Sequence, residues 1–209
     1  MALFAPNIEK LLKDMTNNIK DIDIDHSSTV IVNMDTINGF FKEGNLSSSR
    51  LLQIIPKIVK VNEMFKNSDK LFFVDNHLED SLELKTFPTH CVSSSEQLII
   101  SELKQFTTDA TVIEKNATNG FFSKNYMRWL SENNDYINNY IIVGAVTDLC
   151  VMQYALTKKA YFNQNDIDKK IIVVENAVQT FSTDAHDGNQ MHNFALYNML
   201  INGIIIATV

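Results

Sequence analysis

The chain has 209 residues, of which 45% are hydrophobic and 21% charged, and a formal net charge of −7. That length predicts a single domain over residues 1–209 with ample material for a core, since chains tend to divide only beyond roughly 250 residues. The acidic balance argues against nucleic acid or an anionic membrane as partner, and no run approaches the roughly 20 apolar residues of a membrane span. Glu9 and the lack of an apolar leader with a cleavage site predict no signal peptide. Cys91 and Cys150 do not make a disulfide framework, so a reducing cytoplasm is the expected setting.

In chain order, residues 6–21 predict an amphipathic helix, with Ile8, Leu11, Leu12, Met15 and Ile19 at helical spacing. Thr29–Met34 is β-branched and apolar and reads as the first strand, followed by Asp35 and the Asn38-Gly39 turn signal. Ser48 and Ser49 can cap a helix to about Phe65, with Pro56 as an expected kink. Leu71–Val74 is a second strand ending at Asp75, and a long polar loop over 76–94 contains Pro88. Loops of that length in a compact domain tend to be functional. A helix is expected over Ser95–Phe106, opened by Ser93 and Ser94, then a strand at Thr111–Ile113 ending at Glu114-Lys115. A helix from Phe122 to about Asn133 leads to a strand at Tyr140–Val143, and a helix runs from Thr147 to about Tyr161. A strand at Lys170–Val174, a helix over 185–201 and a strand at Ile204–Ile206 complete the chain. Strand and helix in alternation predict an α/β fold, a parallel sheet with helices on both faces. No GxGxxG follows the first strand and no GxxxxGK[ST] occurs, which removes the main support for dinucleotide binding or NTP hydrolysis.

Ligands in such sheets bind outside the carboxyl ends of the strands. Asp35, Asp75, Lys115 and Cys150 each fall at such an end, on four different strands. Gly144 marks the turn into the Cys150 segment, and Thr147 is a candidate N-cap with Asp148 in the first turn. A thiol at a helix start gains nucleophilic character there, and the free N–H groups can hold an oxyanion. The alternative for Cys150 is a small buried apolar residue. A cysteine nucleophile needs a base and a stabilising cation, roles open to Asp35 and Lys115, and the sequence suggests no Cys–His dyad. Asp75 and His77 sit at alternate positions and point the same way in extended chain, with His90 13 residues further on and Glu83 between. Aspartate with two histidines suits Zn²⁺, Fe²⁺ or Mn²⁺ in an open site. Polar loop residues that merely meet solvent are the plainer alternative.

Four blocks together carry a family resemblance. They are Val30 through Phe40, Val74-Asp75-Asn76-His77 with Phe87-Pro88-Thr89-His90-Cys91, Ile113-Glu114-Lys115 with Phe121-Phe122, and Gly144 through Cys150. The chain resembles the isochorismatase-like cysteine hydrolases and, within them, the nicotinamidases. The resemblance implies a three-layer α/β sandwich with a six-stranded parallel sheet and the triad Asp35, Lys115 and Cys150. It also implies a cis peptide before Val146, so that the Val146 and Cys150 amides form the oxyanion hole. A divalent metal, zinc first and iron or manganese next, is implied at Asp75, His77 and His90, with Glu83 as a fourth ligand found in some members. Phe40, Phe87 and Phe122 match the aromatic positions that wall the substrate ring. The implied reaction is hydrolysis of nicotinamide or a related amide, in NAD salvage, by a protein that acts on a small molecule and can form homo-oligomers. Asn33 departs from the family's hydrophobic-Asp-Met pattern, and Asp35 aligns five residues before Phe40 without a gap. Another amide or ester hydrolase of this family, or a non-catalytic ligand-binding member, remains the alternative.

Overall fold

Side chains alternate across each central strand, and the alternation sorts them onto two apolar faces. The computed structural model describes residues 7–92 and 95–209. Its strands are β1 (Asn17–Asn18), β2 (Thr29–Met34), β3 (Asp69–Asp75), β4 (Thr111–Lys115), β5 (Asn139–Ala145), β6 (Lys170–Gln179) and β7 (Ile205–Thr208). Its helices are α1 (Asn7–Met15), α2 (Asn38–Phe41), α3 (Ser49–Leu52), α4 (Ile55–Met64), α5 (Lys124–Asn133), α6 (Met152–Gln164) and α7 (Gly188–Ile201). Val30, Val32, Leu71, Phe73, Tyr140, Ile142 and Val173 face one core with Tyr126 and Leu130 of α5, Tyr154 and Phe162 of α6, and Leu196 and Met199 of α7. Ile31, Phe72, Ile141, Val143 and Ile172 face the other, with Phe41 of α2, Leu51 of α3, and Ile58 and Val61 of α4. The result is the expected three-layer α/β sandwich.

All strand pairs are parallel, in the order β1-β7-β6-β5-β2-β3-β4. The chain winds outward from β2 through β3 to β4, then returns to the opposite side of β2 with β5. That reversal opens a crevice at the carboxyl ends of β2 and β5, where open α/β sheets bind ligands. β4 is an edge strand, paired only with β3, and Lys115 is its last residue. Gly144 pairs with Met34 and has φ +112°, and a Cβ there would lie 2.0 Å from the Met34 carbonyl oxygen. Only glycine lets β5 turn out of the sheet this close to β2.

The sheet has seven strands rather than the six expected. The additional one is β1, two exposed asparagines paired with Ala207 and Thr208 at the far edge. It falls inside the helix expected over 6–21, which ends at Met15. Asn18 favours this exit, because its side chain accepts from the Lys20 N–H and caps a short 3₁₀ turn. The helix expected from Ser48 to Phe65 is two helices, and Pro56 lies in the first turn of the second rather than at a kink. A missing N–H costs nothing where the helix leaves its first donors unpaired. Residues 95–106 form two 3₁₀ segments instead of one helix. Asn38 N–H donates to Leu98 O and Ile100 N–H to Thr36 O, which draws 98–100 into extended chain between them. β6 runs on to Gln179, beyond the expected Val174, and α7 begins at Gly188, capped by Asp187. The expected start of the first helix at residue 6 and the opening serines Ser93 and Ser94 lie outside the described residues. No described helix is long and apolar enough to cross a membrane.

Candidate active site

Four strand ends deliver the expected residues to one place. Asp35 follows β2 with φ +46°, its N–H donating to Phe73 O at 3.0 Å. Asp75 closes β3 opposite Lys115 on β4, and this parallel register sets their side chains together. Lys115 Nζ lies 3.0 Å from Asp35 Oδ2 and 3.9 Å from Cys150 Sγ, and it also donates to Asp75. Asn33, by contrast, faces away from this cluster: it is fully buried and exchanges hydrogen bonds with Asn62 of α4 at 2.8 and 3.2 Å.

Cys150 lies in a π-helical turn, Thr147–Val151, which leads into α6. Thr147 does not cap it; its hydroxyl bonds His192 Nδ1 at 2.9 Å instead. The peptide between Ala145 and Val146 is cis. The thiol does not have the low pKa its place at a helix start suggests. Burial pushes it well up, Lys115 pulls it back, and Asp35 and Asp75 push it further up. Burial likewise raises Asp35 to about 7, against the restraining charge of Lys115. At Asp75 burial is outweighed by the Lys115 cation, which holds that carboxyl far below its usual range. Burial also works against the Lys115 cation, but Asp35, Asp75 and Cys150 more than compensate and keep it charged. The cluster thus holds one fixed ion pair, Lys115 with Asp75, beside a thiol and a carboxyl that can share a proton.

Asp75, His77 and His90 form a second, contiguous group, all buried, with one ligand atom each within 4.8 Å of the others. His90 Nδ1 lies 2.7 Å from Pro88 O, and His77 Nδ1 lies 3.1 Å from Asn116 Oδ1. Carbonyl oxygens only accept, so each ring carries its proton on Nδ1 and presents a lone pair at Nε2. The two Nε2 atoms are 3.1 Å apart, and each is 3.7 Å from an Asp75 oxygen. Donors bound to one metal at roughly 2.0–2.2 Å stand about 3.0–3.5 Å apart. The donor set therefore fits a divalent cation, and the outer hydrogen bonds to Pro88 and Asn116 are the kind that fix ligand histidines. Glu83 stands apart from the group, with a carboxylate oxygen that accepts from both the N–H and the hydroxyl of Thr118. Cys91 is buried, and burial pushes its thiol upward.

Both groups open onto a cavity of about 360 Å³. Asp75, Glu83, His90, Val146 and Cys150 line it, with Phe40, Leu46, Phe87, Pro88 and Leu149 as apolar walls. Phe122 is not among these walls: it is 71% exposed, whereas Phe121 beside it is buried in the core. Phe181, Ser182 and Thr183, after β6, also line it and were not expected. Their one sequence signal is an aromatic residue just past a strand's carboxyl end. Among the described residues no lysine or arginine lines the cavity.

A protein-family model described as the isochorismatase domain matches residues 29–202. No curated protein matches the chain. Solved structures share the fold at low identity. A pyrazinamidase/nicotinamidase from Streptococcus mutans is 22% identical with a TM-score of 0.71, over 86% of this chain and 99% of that one. A pyrazinamidase from Pyrococcus horikoshii in complex with zinc is 22% identical with a TM-score of 0.71, over 87% and 99% of the two chains. An N-carbamoylsarcosine amidase from Thermoplasma acidophilum is 23% identical with a TM-score of 0.70, over 87% and 96%.

Proposed function

Since the chain belongs to the isochorismatase family of hydrolases, we propose that it is a metal-dependent cysteine amidase converting nicotinamide and water to nicotinate and ammonia. The observation that carries this reading is the Asp75–His77–His90 group opening onto the cavity that also holds Cys150. A cation there, with zinc the first candidate, supplies a Lewis acid for the ring nitrogen of a pyridine carboxamide.

In the proposed reaction Asp35 takes the Cys150 proton as sulfur attacks the carboxamide carbon. Its pKa, raised by burial to about 7, suits a base that must later act as an acid. The backbone amides of Val146 and Cys150 hold the oxyanion. The C–N bond breaks, ammonia leaves with the proton from Asp35, and a thioester remains. Asp35 then takes a proton from water as the water attacks the thioester, and that proton returns to sulfur as the C–S bond breaks and nicotinic acid leaves, losing its own proton to solvent as nicotinate. Lys115 offsets the negative charge that passes between Asp35 and Cys150, 3.0 and 3.9 Å from its Nζ. Phe40 and Phe87 flank the ring. Glu83 serves through Thr118 and the cavity wall, and a reducing cytoplasm keeps the thiol free.

Ammonia release from nicotinamide by the purified protein tests the reading. Turnover is expected, with loss on chelation, recovery with added zinc, and none above background in Cys150→Ala. Undiminished turnover in a metal-free preparation overturns the metal assignment. Hydrolysis of other amides but not of nicotinamide leaves only the wider family assignment.

A further inference from the structure

The segment between β6 and α7 forms the cavity's outer wall and has no role in the chemistry above. It carries Phe181, Ser182 and Thr183 into the lining. Phe181 is stacked on His186, with ring centroids 4.1 Å apart and planes 14° from parallel. His186 Nε2 lies 2.7 Å from Asp148 Oδ2, and its Nδ1 lies 3.2 Å from Phe181 O. Asp148 belongs to the same π turn as Cys150 and is buried. The segment is also closed on itself: Thr183 and His186 exchange backbone hydrogen bonds at 3.0 and 3.2 Å. Arg50 holds its start, with Nε donating to Thr180 O at 3.0 Å. The aromatic wall is thus registered, through one imidazole, to the turn that bears the nucleophile.

We propose that Phe181 is a specificity-determining residue that stacks on the planar acyl group of aromatic amides. The Asp148–His186 pair is its positioning device. The proposal deepens the amidase reading and rests on it for the chemical class of the ligand. Phe40 and Phe87 already supply apolar wall; Phe181 adds a third ring, held flat by its own partner. Aromatic faces meet with a geometric preference that aliphatic chains lack, so this wall separates aromatic from small aliphatic amides.

Two measurements test this, one of them independent of turnover. The first is protection of Cys150 from iodoacetamide by benzamide, read by peptide mass and normalised to each protein's unprotected rate. In Phe181→Ala the benzamide concentration for half-protection is expected to rise about tenfold, which corresponds to about 1.4 kcal/mol, and in Phe181→Leu by less. His186→Ala is expected to shift it the same way, His186→Gln to restore part of the loss, and the Phe181→Ala/His186→Ala double variant to go no further than Phe181→Ala. The second is the ratio of kcat/KM for nicotinamide to that for propionamide, which is expected to fall about tenfold in Phe181→Ala through KM. Half-protection unchanged in both Phe181 variants, or no protection of the wild type, overturns the stacking role. Full additivity of the two alanine substitutions overturns the positioning role of His186. If nicotinamide is not hydrolysed but protection still depends on Phe181, the amidase reading fails and the wall stands.

Discussion

Asn33 lies within β2 and Asp35 just past its end, where the backbone turns to φ +46°, and the two have opposite fates. Asp35 meets Lys115 at 3.0 Å, while Asn33 pairs with Asn62 beneath α4. Asp35→Asn is expected to reduce ammonia release by at least about 10²-fold, the scale on which general acid–base catalysis contributes. Asn33→Ala should leave turnover close to wild type and instead cost about 1–3 kcal/mol of stability, because the buried Asn62 Oδ1 loses its donor. Ammonia assays and urea melts on both variants check this, and the reverse pattern would exchange the two roles. Alignment to Phe40 without a gap was enough to choose between them in the sequence. The choice between Phe121 and Phe122 was not legible. Adjacent phenylalanines in a 3₁₀ turn point in different directions, and only the packing of Phe121 against Tyr126 and Tyr161 decides which goes inward.

At the scale of elements, α6 carries a buried lysine that no reaction step uses. Lys158 Nζ lies 4.0, 4.7 and 5.5 Å from the ring centres of Tyr140, Phe162 and Tyr126 and has no hydrogen-bond partner. Burial, aided by Lys169, pushes its pKa down to about 6, whereas the ordinary value is 10.5. Between those values the unfolded chain binds the proton and the folded one does not, so stability rises with pH. Below about 6 both states are charged, this slope vanishes, and the folded state bears the full cost of the buried cation. Lys158→Met is expected to raise the urea midpoint at pH 7 and to flatten its increase from pH 7 to 9, a slope worth at most about 1.4 kcal/mol per pH unit. A midpoint whose pH dependence survives the substitution would place the proton elsewhere. The element pattern itself was largely legible, because short continuous apolar runs mark β2, β3, β5 and β6. β1 was not, since Asn17 and Asn18 owe their extended shape to the open edge of β7. The 3₁₀ segments replaced a helix because Thr36 and Asn38, some 60 residues away, take the backbone partners of 98 and 100.

For the molecule as a whole, the two apolar cores lie on either face of the sheet, while Asp75, His77 and His90 sit at its carboxyl rim. Removing a bound metal should therefore stop hydrolysis of nicotinamide and barely move the thermal midpoint. Calorimetry on chelated and zinc-loaded protein checks this; collapse of the fold on chelation would make the site a structural one. The site's location was legible as well. Four strand ends carrying chemistry converge wherever a parallel sheet reverses its winding, and the sequence shows those ends. The outer wall at Phe181 was not legible, because its position depends on a contact with Asp148 from a distant part of the chain.

Lys115 is held by an edge strand. β4 is paired on one side only, and its exposed residues include Val112 at 46%. Edge strands of this kind fray through local opening events far cheaper than global unfolding. When the end of β4 opens, the cation leaves Asp35, Asp75 and Cys150 together, and three buried acidic groups lose their common counter-charge. Catalytic competence should then be the first property lost under mild denaturant. In a urea titration the activity midpoint is expected to precede the far-ultraviolet circular dichroism midpoint, and amide protons of β4 should exchange ahead of those of β5. Coincident midpoints would show the rim to be as durable as the core.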